Sequence, residues 1–163
     1  MDPGELITRV SVWLALGLYA LAELGRLRWR AGLTDRLWMR SLSTLGLALF
    51  GVHVIGAFAV FHGWSHADAY ASTARATAEF TGWNWGGGLY VNYLFAALWL
   101  AETLWWWLRP ADYRSRPAAI DAVVRVFFLL MILNGAVVFV SGPQRWLGAG
   151  IVIAILAGFG RKD

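Results

Sequence analysis

Five apolar stretches dominate this chain, at residues 7–24, 41–62, 87–108, 118–140 and 144–160. Nothing else in the sequence restricts the fold as strongly. A helix that crosses a bilayer needs about 20 mostly apolar residues, within a range of about 17–25. Four stretches meet that length with ease. The fifth sits at the lower limit, where a re-entrant segment also fits. In hydrocarbon each stretch must be helical, because only a helix satisfies its own backbone hydrogen bonds. The two-residue alternation of an outer-membrane strand is absent.

Composition agrees. Hydrophobic residues make up 59% of the chain and charged residues 15%, against about 45–50% and about 25% in soluble domains. The 163 residues allow one domain. The expected fold class is an all-α integral membrane protein, a bundle of five transmembrane helices. The leader MDPGEL is acidic, whereas a signal peptide begins with basic residues, so the first segment is expected to persist as a helix.

The loops set the orientation. One side carries Arg26, Arg28, Arg30, Arg36, Arg40, Arg109, Arg114, Arg116, Arg161 and Lys162, and the other only Arg9, Arg75 and Arg145. By the positive-inside rule the N-terminus is expected outside and the C-terminus in the cytoplasm. Tryptophans fall at both expected interfaces, with Trp29, Trp38 and Trp105–Trp107 inside and Trp13, Trp64, Trp83, Trp85 and Trp146 outside. Such rings settle at headgroup level, so the WWWLRP run reads as an anchor. The expected location is a bacterial inner membrane. The expected partners are the lipid bilayer and other membrane subunits or further copies of the chain. No basic run is interleaved with exposed aromatics as a nucleic-acid surface requires, so no nucleic-acid partner is expected.

The chain has no cysteine. That excludes disulfides, thiolate metal sites, covalently attached c-type haem and a cysteine nucleophile. Serine-based catalysis has no G-x-S-x-G support, and no catalytic set is identified.

One connection is long, at residues 63–86. Within it HADAYASTARATAEF is alanine-rich and predicts an extra-cytoplasmic helix over about 66–80. Ser65 is the expected N-cap, with Asp68 three positions on. His66, Tyr70, Thr73 and Thr77 would share one face. The following WNWGGG supplies two anchoring tryptophans and three glycines, read as backbone freedom where the chain re-enters the membrane. Such a helix could lie as a lid over the bundle.

Ionisable and amide side chains inside spans are expensive and stand out as candidates. Glu102, Asp121 and Arg125 form an inner group. Asp121 and Arg125 are spaced to pair on one helix. Depth arithmetic predicts a further ion pair between Glu102 and Arg125. The outer group is His53, His62, Asn92 and Asn134. Nine residues separate His53 from His62, which on an α-helix is ~180° of rotation, so the two rings are expected to point to opposite sides. That leaves His62, His66 and Asp68 as the compact set at the membrane surface. Imidazole plus carboxylate suits zinc, copper or non-haem iron, with Asn92 or water completing the shell. A haem held by a single histidine, or shared between two copies, is the other cofactor the residues allow.

Three functions fit these features. The first is a non-catalytic or accessory component of a membrane assembly. The second is a redox, metal- or haem-binding protein with an outward site from His53, His62, His66 and Asp68. The third is a small-solute or ion pathway through Glu102, Asp121 and Arg125.

Overall fold

The computed structural model describes residues 2–28, 37–138, 142 and 144–160. Every element among them is helical. Helix α1 (Pro3–Arg28) is followed by α2 (Leu37–Gly56), which runs on through a π turn at Ala57–Phe61. Helix α3 (His66–Thr81) fills the long connection, and α4 (Gly88–Leu108) returns through the bundle. A short α5 (Pro110–Ser115) leads into α6 (Ala118–Leu133), which ends in a second π turn at Asn134–Val138, and α7 (Gln144–Gly160) closes the chain.

Three helices are long and apolar enough to cross a membrane: Pro3–Arg26, Leu37–Phe61 and Ala118–Val138. Helix α4 has spanning length, but Asn92, Glu102, two tyrosines and four tryptophans dilute its apolar character. Helix α7 has a shorter apolar run, Arg145–Ala157. Large apolar side chains on several helices face outward, among them Ile55 (60% exposed), Val123 (69%) and Ile153 (65%). A surface of that kind suits lipid, not water.

Helix α1 is central. It packs along α2 and touches α7. Small residues permit the close approach. A Cβ on Gly46 would lie 3.1 Å from the Ala15 carbonyl oxygen, and one on Gly56 would overlap the Thr8 hydroxyl. Two apolar cores result. Leu16, Ala20, Ile132, Ala136, Val152 and Ile155 join α1, α6 and α7. Ala15, Phe50, Phe95, Trp99 and Phe128 join α1, α2, α4 and α6.

Several expectations meet their outcome here. Helix α3 covers the predicted stretch, with Ser65 as its cap. The tryptophan run is not a simple anchor. Trp106 is buried and stacks on Tyr113 at 5.4 Å, while Trp107 stays 40% exposed. A helix presents three consecutive residues to three directions, so one of them must turn inward. Trp29, Arg30, Arg36, Arg161, Lys162 and the end of the fourth stretch at 139–140 lie outside the described residues.

Candidate functional site

The connection from α2 to α3 is built tightly. The Trp64 N–H donates to the Phe58 carbonyl at 2.9 Å and the Ser65 N–H to the His62 carbonyl at 2.8 Å, closing the π turn. Gly63 and Trp64 both take left-handed backbone, with φ of +50° and +62°. That conformation is strained for a bulky side chain and clusters at functional sites. The Ser65 hydroxyl accepts from the Asp68 N–H at 3.1 Å, as an N-cap should. The Asp68 carboxylate does not complete a capping box. It turns instead to His62, accepting from Nδ1 at 2.8 Å.

His53 and His62 do not face opposite sides. Both line one cavity of about 290 Å³, together with Phe50, Phe58, Tyr93, Phe95, Asn92 and Met131. The π turn between them is the cause. Its i→i+5 bonding winds the chain through fewer degrees per residue than an α-helix, which shifts the phase expected from α-helical arithmetic. His53 is partly buried, and its Nδ1 donates to the Thr8 carbonyl on α1 at 2.8 Å. Among the described residues, nothing bonds to Nε2 of either ring.

The expected trio of His62, His66 and Asp68 comes apart. His66 is exposed and packs beside Tyr90 and Tyr93, each at 5.9 Å between ring centroids. His66 is the first residue of α3, and its ring packs on these two tyrosines of α4. Among the described residues, no three His, Asp or Glu side chains are grouped so as to hold a metal ion.

A second, larger cavity of about 550 Å³ lies under α3 and is lined by Thr73, Thr77, Phe80, Asn92 and Asn134 among others. It shares Thr73, Asn92, Met131 and Gly135 with the first. Of the expected face of α3, Thr73 and Thr77 roof this space, whereas His66 and Tyr70 pack against Tyr90. The glycine run that follows serves closeness more than freedom. Gly86 is not at positive φ, but a Cβ there would sit 2.5 Å from the Tyr70 carbonyl oxygen, and one on Gly87 would overlap the Trp85 ring. The loop is pressed onto α3 and holds it over the cavities.

The opposite end of the bundle is ionic. Asp121 pairs with Arg125 at 3.0 Å, the expected spacing on one helix. It also meets Arg26 from α1 at 3.3 Å and Arg116, whose guanidinium makes its closest contact here. Glu102 meets other partners than the expected Arg125 among the described residues. It is held by Arg116 at 2.7 Å and accepts from the Tyr113 hydroxyl at 2.9 Å. Arg125 reaches Glu23 of α1 at 2.8 Å, and Glu23 is 2% exposed. Depth on two helices placed the groups at one level but could not show that a third helix and a short connecting turn also supply charges there. Burial pushes the Tyr113 phenol well above its ordinary pKa, so it keeps its proton and donates. Among the described residues three arginines meet three carboxylates in this network, and their formal charges balance. A cavity of about 20 Å³ at its centre has room for one water.

Sequence reading missed Glu23, Arg26, Tyr113 and Arg116. Glu23 and Arg26 carried one usable signal, an acid and a base three apart at the end of an apolar stretch. Arg116 read as an ordinary loop cation, yet its side chain is 3% exposed. Between the two ends lie Phe50, Phe95, Trp99 and Phe128, packed edge to face and tilted at centroid distances of 4.8–6.0 Å. No protein-family model matches the chain, and neither a curated protein nor a solved structure shows significant similarity to it.

Proposed function

We propose that this chain is a non-catalytic membrane component that binds a small, largely apolar molecule in the histidine-lined cavity beneath α3. The observation that carries this reading is the convergence of two imidazoles on one cavity, each tethered through Nδ1, His53 to Thr8 and His62 to Asp68. An apolar enclosure with a few fixed polar groups is the usual form of a small-molecule site. The tethers fix ring orientation, as partners behind a binding histidine do. The neutral charge network at the other end serves as a staple between α1, α4 and α6. The aromatic cluster stands between it and the cavity, which speaks against an ion pathway along the bundle.

The arrangement we propose has five spans in a bacterial cytoplasmic membrane, N-terminus outside, with α3 on the outer surface. What supports it is the ten-to-three split of basic residues. An Ala67→Cys substitution gives the protein a single thiol on the exposed face of α3. An impermeant maleimide should label it in intact spheroplasts. Labelling only after membrane disruption would reverse the orientation.

The binding reading predicts that protein extracted in mild detergent retains a small neutral lipophile by native mass spectrometry. Ala96→Trp fills the cavity from α4 and should abolish retention while leaving the elution profile of the folded chain intact. If the unaltered protein carries nothing, and also shows no saturable binding of a neutral aromatic amphiphile, the reading fails.

A further inference from the structure

The hydrogen-bonding pattern of the cavity restricts its occupant further, on the binding reading above. A backbone carbonyl can only accept, and an ionised carboxylate likewise. His53 therefore carries its proton on Nδ1 toward Thr8, and His62 carries its own toward Asp68. In the neutral rings each Nε2 then presents a lone pair. Among the described residues no lysine, arginine, aspartate or glutamate lines the cavity, and the nearest carboxylate, Asp68, is taken up by His62, so a charged head group has no counter-ion in the lining. Its walls include Phe50, Phe58, Tyr93 and Phe95, surfaces on which a flat ring stacks well. The adjoining cavity offers Phe80, Val91 and Val138 to an alkyl tail.

A neutral ring with donor groups complements two acceptors between aromatic walls. We propose that the pocket takes a lipid-soluble hydroquinone, its hydroxyls donating to Nε2 of His53 and His62, in preference to the corresponding quinone. The quinone offers carbonyl oxygens where the hydroquinone offers O–H groups. At the two imidazoles acceptor would then face acceptor, and both contacts would be lost. The Asn92 amide and the Tyr93 hydroxyl, which also line the cavity, can donate to a quinone carbonyl but leave each Nε2 without a donor from the ligand. Asp68 acts as a positioning residue, because it holds His62 in the tautomer that accepts.

The test uses the purified full chain in lipid nanodiscs under anaerobic conditions. Decyl-benzohydroquinone, decyl-benzoquinone and decylbenzene are titrated by calorimetry. The hydroquinone should bind saturably and at least about tenfold more tightly than the quinone, the worth of one unmade buried hydrogen bond. His53→Phe and His62→Phe keep the aromatic volume and should each erode that preference. Asp68→Asn retains an acceptor for Nδ1 and should preserve it, whereas Asp68→Leu should lose it. Equal affinity for the two redox forms, or a preference unchanged in both histidine variants, would overturn the proposal. Saturable binding of all three compounds alike would overturn it too and leave the binding reading standing. No saturable binding of any of them would overturn the proposal, and together with the absence of a retained lipophile in native mass spectrometry it would bring down the binding reading as well.

Discussion

Asp121→Asn should destabilise the fold by about 3–5 kcal/mol, the cost of breaking a buried ion pair from one side. Asp121 contacts all three arginines of the network, Arg26, Arg116 and Arg125. Asparagine keeps the shape and removes the charge. Three guanidinium groups would then share Glu23 and Glu102 in a place that excludes most water. The Arg116 side chain is 3% exposed and that of Arg125 8%, so neither can turn to solvent without moving a helix. Thermal unfolding in detergent, followed by helical circular dichroism, measures the loss. Raising the salt concentration should not reproduce it, because buried pairs are weakly screened. The double variant Asp121→Asn with Arg116→Gln restores neutrality and should recover part of the loss, since residues in one network couple. A midpoint unchanged in Asp121→Asn would show that the network contributes nothing to the fold.

Trp99→Ala should cost a similar amount, about 3–5 kcal/mol, for a different reason. Trp99 is 1% exposed and packs against Phe50, Phe95, Phe128 and Tyr19. Its indole N–H donates to the Ser43 hydroxyl at 3.3 Å. In a bilayer, lipid tails are as apolar as a core, so burial from water contributes little to helix association. What the alanine loses is dispersion contact along four helices, and the gap has no atoms to fill it. Trp107→Ala is the matched control. That ring is 40% exposed, donates one hydrogen bond to Thr44 at 2.9 Å and has the Arg40 guanidinium 5.5 Å from its centroid. Its loss should stay within about 1 kcal/mol. Equal effects from the two substitutions would mean that the aromatic cluster is not the centre of packing.

Much of the local structure was legible without coordinates. The Ser65 cap, helix α3, the Asp121–Arg125 pair and the apolar lengths of α1, α2 and α6 all follow from nearest-neighbour rules: composition, spacing and capping chemistry act within a turn or two of the chain. Such rules hold wherever the helix is placed.

The candidate site obeyed no such rule. His53 and His62 share a cavity only because a π turn changes the winding between them, and nothing in AFAVF announces that turn. The partner of His53 is a backbone carbonyl on another helix, which every residue possesses and no sequence pattern marks. Glu23, Arg26 and Arg116 were read as ends and loops until three helices and a connecting turn brought them to one level. The sequence by itself determined which segments are helical and apolar, because that depends on side-chain periodicity and the backbone's own hydrogen bonds. Only the tertiary structure decided which polar groups meet, because helix phase and long-range pairing depend on all the helices packing at once.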